Sequence, residues 1–103
     1  MAFHVSFSEQ AAHDLSEIIE YINDKLYNPL AAERFYNEIG EKLGLLSQYP
    51  YMYLLCHDEK LNEEGYRFAV IGNFIMFYLV DDDKSVVNIS RILYGKRDIQ
   101  SLF

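Results

Sequence analysis

The sequence predicts an α+β domain: an N-terminal strand, an antiparallel helical hairpin, then a three-stranded antiparallel meander, forming one small sheet with the helices on one face. Three observations carry that expectation. A short stretch near the start alternates apolar and polar residues, two long stretches repeat apolar residues at helical spacing, and three β-rich runs near the C-terminus are divided by turn signals.

The alternating stretch is "FHVSF" at residues 3 to 7, the period of a half-buried strand. Ser8 follows as an N-cap and Glu9 suits the positive end of a helix. Ala11, Leu15, Ile18, Ile19, Ile22 and Leu26 then recur at helical spacing, so a first helix runs to about Tyr27. Asn28-Pro29 resets the chain, because proline disfavours a helix interior but suits its first position. Ala32, Phe35, Tyr36, Ile39, Leu43 and Leu46 restore the period as a second helix, and so short a link makes the pair an antiparallel hairpin. Gly40 and Gly44 are spaced to permit a close backbone approach. Residues 49 to 64 lack a clean period and contain Pro50, which predicts a loop with a short strand around Tyr53 and Leu54. The stretch from Tyr66 to Tyr94 holds the three β-rich runs, divided by Gly72-Asn73 and by 81–84. A tail from Asp98 predicts a further helical turn.

The 103 residues, half apolar and 16% aromatic, are enough for one domain over 1–103 with its own core. The opening "MAFHVSFSEQ" does not read as a secretory signal, and the longest apolar run, "FIMFYLV", is far shorter than the roughly 20 residues of a membrane-spanning helix. The expectation is a cytoplasmic protein that makes no membrane contact. Cys56 has no second cysteine to pair with and reads as a plain thiol. The net charge is −7, and it is uneven: residues 1–66 hold four Lys/Arg against twelve Asp/Glu, residues 67–103 five against four. Such an acidic surface argues against general nucleic-acid binding, yet leaves room for one local cationic site.

That site is the C-terminal stretch "RILYGKRD", where Arg91, Lys96 and Arg97 fall within seven residues. With Arg67 at the start of the second strand, these cations suit phosphate or carboxylate recognition if the tail folds back over the sheet; alternatively Arg91 and Arg97 pair with the acidic helices and hold the tail. His4, His13 and His57 read as structural or exposed, and 81–83 as a solvated turn that lacks the further ligands of a calcium loop. No metal site and no cofactor are expected.

The helical stretches "AAHDLSEIIEYI" and "AAERFYNEIGEKLGLLSQYP", "GYR" at 65–67, "VIGNFIMFYLVDDD" at 70–83 and, most specifically, "VNISRILYGKRDI" at 87–99 resemble the RelE/ParE toxin superfamily of bacterial type II toxin-antitoxin modules, over nearly the whole chain. The resemblance implies one of two activities. RelE-like members are ribosome-dependent mRNA endonucleases, and on that reading Arg67 and Arg97 stand where those enzymes keep phosphate-contacting, catalytic arginines. The rest of that machinery is reduced here: the lysine pair before "GYR" shrinks to Lys60, and the tyrosine after the second arginine is matched by Phe103. ParE-like members, closer in the "RILYGKRDI" ending and the long hairpin, poison DNA gyrase and are linked to plasmid stabilisation. On that reading Arg91, Tyr94, Lys96, Arg97 and Phe103 form a target-binding surface. A third possibility is an inactive homologue that only binds its antitoxin. All three imply a cognate antitoxin in a hetero-oligomeric complex, contacting the hairpin and the tail, with Tyr27, Tyr36, Tyr49, Tyr51 and Tyr53 as amphipathic anchors.

Overall fold

The computed structural model describes residues 2–96. Its elements are β1 (His4–Phe7), α1 (Glu9–Glu20), α2 (Pro29–Gln48), α3 (Glu59–Glu63), β2 (Arg67–Ile71), β3 (Phe74–Asp81) and β4 (Val86–Tyr94). Both hairpin helices begin where the residues say they should. The Ser8 hydroxyl accepts from the Ala11 amide at 3.0 Å, and the Asn28 side chain does the same for Ala31 at 3.1 Å with Pro29 in the first turn.

Between the helices, α1 does not simply stop. It continues as one π-helical turn, Tyr21–Lys25, and the chain then reverses at Tyr27, whose φ of 51° is uncommon for a residue with a Cβ. Tyr21, Leu26, Tyr27 and Leu30 are left largely in solvent at this end of the hairpin.

The sheet is four-stranded and mixed, in the order β1-β4-β3-β2. The meander β2-β3-β4 is antiparallel as expected, with Gly72 at φ 59° in its first turn. The N-terminal strand pairs with the last one, in parallel, from His4 opposite Val86 to Phe7 opposite Ile89. A parallel neighbour needs a long crossover, and the two helices together with β2 and β3 provide it.

Two cores result, since successive side chains of a strand face opposite ways. The larger joins the hairpin to the sheet through Ile18, Phe35, Ile39 and Leu46 against Met76, Tyr78, Ile89 and Ile92. The smaller gathers Cys56, Leu61, Phe77 and Leu93. The second cluster corrects one expectation and adds to another. The stretch 49–64 is not all loop, because Asp58 caps the one-turn α3 by accepting from the Leu61 amide at 3.0 Å; and the hairpin helices cover one face of the sheet as expected, while Leu61 of the short α3 packs with Phe77 and Leu93 in the second cluster. A single apolar residue in "EKLNE" carries no period, so the short helix left no signal. The strand expected near Tyr53 and Leu54 is a single bridge, Leu55 opposite Arg67. A methyl group on Gly40 or Gly44 would meet no atom within 4 Å, so neither glycine serves a close approach. The helical turn expected from Asp98 lies outside the described residues.

Tyr78 connects the sheet to the chain leaving α2. It is fully buried, and its hydroxyl donates to the Pro50 carbonyl at 3.1 Å. Burial pushes its phenol from the ordinary 10.0 up to about 12. The folded pKa thus exceeds the unfolded one, so the contribution of the neutral phenol is complete below pH 10 and is lost as pH rises through about 12. The urea midpoint of the wild type should fall across that interval, while Tyr78→Phe, less stable at neutral pH, should show a flatter decline; parallel curves would contradict the assignment.

Candidate functional site

β1 ends opposite Ile89, so the last part of β4 has no strand along one edge. The chain entering α1 occupies that place. The Ser8 amide donates to the Ile89 carbonyl and the Ser8 hydroxyl to the Ser90 carbonyl, both at 2.9 Å. Two turns on, the Asp14 carboxylate accepts from the Ile92 amide at 3.0 Å. The same carboxylate holds Arg91 in a two-pronged ion pair, Nε to Oδ2 at 2.8 Å and Nη2 to Oδ1 at 3.1 Å. Asp14 is the one buried charged residue among those described. A buried carboxylate tolerates its desolvation only when its lone pairs are met, and here the two charge-assisted bonds and the Ile92 amide meet them.

Asp14 was not among the residues singled out from the sequence, although a signal was there. It sits between Ala11 and Ile18 at spacings of three and four, on the buried stripe of α1. An acid on an apolar stripe demands a partner, and Arg91 in "SRIL" is that partner.

Beside this pair lies a groove of about 530 Å³. Ile18, Tyr21, Ile22 and Leu26 wall it on the helical side; Phe74 and Tyr94 wall it on the sheet side. The rings of Phe74 and Tyr94 meet edge to face with centroids 5.8 Å apart, which fixes Tyr94 while leaving it 38% exposed. Lys96 follows, exposed, two residues beyond Tyr94. Arg97 and Phe103 lie outside the described residues.

Arg67 stands on the other side of β3. It is opposite Tyr78, as Arg91 is opposite Phe77, so the two arginines are level in the sheet with one strand between them rather than at opposite ends of it. They turn to different partners. Arg67 Nη1 donates to the Tyr53 carbonyl at 2.7 Å and its guanidinium lies over the Tyr51 ring at 4.9 Å, while the Tyr51 hydroxyl donates to Asp82. Arg67 therefore fastens the segment after α2 onto the sheet. Of the tyrosines expected as anchors, Tyr27, Tyr36 and Tyr49 are exposed, Tyr51 is half exposed and engaged with Arg67, and Tyr53 packs against the larger core.

The remaining candidates play smaller parts. His13 is exposed and 3.0 Å from Glu17 on the same helix; His4 and His57 are exposed. Cys56 is buried and its thiol is pushed up to about 11, first by burial and then by Asp58, which leaves little reactive thiolate near neutral pH. Among the described residues, no group of three His, Cys, Asp or Glu side chains is placed to hold a metal ion, and no helix is long and apolar enough to cross a membrane.

A family model described as the ParE toxin of the type II toxin-antitoxin system parDE matches residues 5–99. The chain belongs to the ParE toxin family. Solved structures agree in fold. A chromosomal ParDE toxin-antitoxin system from P. aeruginosa superposes with a TM-score of 0.72 at 19% identity, covering 92% of this chain and 98% of that one. The RelBE2 toxin-antitoxin complex from Mycobacterium tuberculosis gives 0.65 at 22% identity over 91% of this chain and 99% of the other. The archaeal RelE-RelB complex from Pyrococcus horikoshii gives 0.55 at 17%, over 94% and 99%. No curated protein matches. In this ParE-family chain the motif "GYR" supplies a clamp for the segment 51–53, and "SRIL" supplies the partner of a buried acid.

Removing the clamp should loosen that segment without unfolding the sheet. Arg67→Ala is expected to cost about 1–2 kcal/mol, the loss of one charge-assisted hydrogen bond and one cation-π contact, and to raise amide exchange selectively in 50–56. Unchanged exchange there would show that Arg67 does not hold it.

Proposed function

We propose that this ParE-family protein acts by poisoning DNA gyrase and is neutralised by a cognate antitoxin. The observation that carries the preference for gyrase over messenger RNA is the engagement of Arg67. A ribonuclease of the RelE type needs that arginine turned to the scissile phosphate, with a proton acceptor and donor beside it. Here Arg67 is bonded to the Tyr53 carbonyl and stacked on Tyr51, and the lysine pair and late tyrosine of such enzymes are reduced to Lys60 and Phe103. The net charge of −7 favours a protein target over the phosphate-rich surface of a ribosome. The solved structures of similar fold are toxin-antitoxin complexes, which supports an antitoxin as partner. Tyr94, Lys96, Arg97 and Phe103 are the residues proposed to bind the target, and Arg91, paired with Asp14, supports Tyr94 and Lys96 from within the sheet.

Purified protein incubated with gyrase, ATP and plasmid should produce linear DNA after detergent and protease treatment, and should leave ribosome-bound mRNA uncut in a parallel primer-extension assay. Lys96→Ala combined with Arg97→Ala should lower the yield of linear DNA by about tenfold, as loss of contact-forming cations does at protein interfaces. Cut mRNA with intact plasmid would replace this reading by the ribonuclease one. Inactivity in both assays, with an antitoxin still bound, would leave a toxin that has lost its target.

A further inference from the structure

The groove between α1 and the ends of β3 and β4 has a shape and a charge that together specify an occupant. Its helical wall runs from Gln10 to Leu26, 17 residues and about 25 Å at helical rise, with lining positions at three- and four-residue intervals. That is the length and spacing of a four- to five-turn helix packed alongside. The two ends differ. Towards Leu26 the walls are apolar and the exposed side chains are large, with Tyr21 49% and Leu26 56% accessible. Towards Gln10 the lining is polar and includes His13, Asp14 and Glu17.

The helical stretch that supplies this wall is one-sided in charge. Asp14 and Glu17 line the groove itself, and Glu9, Glu20 and Asp24 lie on the same stretch outside the lining, so residues 9–25 carry five carboxylates against the single cation Lys25. Asp14 is neutralised by Arg91; among the described residues no lysine or arginine bridges Glu17, Glu20 or Asp24. An anionic helix laid here would bring its carboxylates against these, at a cost that low salt makes larger. A cationic one would satisfy them while placing its apolar residues on Tyr21, Leu26, Phe74 and Tyr94. Lys96 lies past the opposite rim, so the cations of the incoming helix belong on its α1 side.

We propose that this groove is the docking site for a cationic amphipathic helix, its apolar face seated between the π-helical turn and Tyr94 and its lysines or arginines facing Glu17, Glu20 and Asp24. The antitoxin reading above names the protein that carries such a helix; it predicts an antitoxin whose toxin-binding segment is basic. The groove itself is testable without that reading.

The probe is a fluorescein-labelled peptide of about 18 residues, one groove length, with leucine at i, i+3, i+4 and i+7 and lysine on the remaining face, compared with a twin carrying glutamate for lysine. Fluorescence anisotropy should show the lysine peptide binding the full chain at least about tenfold more tightly than its twin at low salt, with the gap closing as salt is raised. Glu17→Gln/Glu20→Gln/Asp24→Asn should abolish the preference. Tyr21→Ser/Leu26→Ser, which alters only exposed side chains and leaves every charge in place, should weaken the lysine peptide by a similar factor. Amide chemical shifts should move at Ile18, Ile22, Phe74 and Tyr94. Three results would overturn the proposal: equal or tighter binding of the glutamate peptide; lysine-peptide binding indifferent to Tyr21→Ser/Leu26→Ser, which would mark diffuse attraction to an acidic surface; or self-association of the chain that Tyr21→Ser/Leu26→Ser dissolves, which would give the groove to a second copy. None of these readouts depends on gyrase or on an antitoxin, so a protein harmless to gyrase still answers the question.

Discussion

Asp14 meets three donors of β4 at once, two on the Arg91 guanidinium and one on the Ile92 backbone, at the point where the sheet edge would otherwise lie open. Ser8 closes the preceding stretch through Ile89 and Ser90, so β1, the cap of α1 and the second turn of α1 act in succession along one edge. An unpaired strand edge invites pairing with another chain, and a helix lying over it with a carboxylate on the strand amide is one way to prevent that. Because the pair is buried, its net contribution is smaller than its geometry suggests; what it imposes is a single placement of α1 relative to β4. The width of the groove between them follows from that placement.

This arrangement changes the meaning of the C-terminal cations. Three positive residues within seven looked like one cluster, but Arg91 belongs to the inside of the molecule and Lys96 to the outside. Arg67, the other cation of interest, is likewise turned inward to Tyr51 and Tyr53. The described arginines of the sheet thus serve the architecture on which a target-binding surface would stand. The chain's acidity has a place too: residues 9–48, which hold the helical hairpin, carry eight Asp/Glu against three Lys/Arg.

Much of the fold was legible because it rests on local chemistry. Ser8 and Asn28 announce helix starts, the apolar spacing of residues 11–26 and 32–46 announces the buried stripes, and Gly72-Asn73 announces a hairpin. What escaped was non-local. The parallel pairing of β1 with β4 joins residues about 80 positions apart and leaves no trace in either strand's alternation. The helix α3 is too short for a period, and the π-helical turn at Tyr21–Lys25 hides within a stretch whose apolar spacing continues undisturbed. For the site, Arg67 and Arg91 were legible by residue type, and the pairing of Arg91 with an acidic helix was one of two expectations, but Asp14 was not singled out as the acid, nor Tyr51 and Tyr53 as the partners of Arg67. The position of Asp14 on the apolar stripe was the available clue.

Asp14 and Arg91 act as one unit that fixes α1 against β4, and a double-mutant cycle reads this directly. Urea unfolding of the wild type, Asp14→Ala, Arg91→Ala and the double variant should give a coupling energy of about 2 kcal/mol, with either single substitution nearly as harmful as both together, because each removes the whole two-pronged ion pair. Additive effects, with a coupling below about 0.5 kcal/mol, would mean that the two residues contribute independently and that the placement of α1 is set elsewhere.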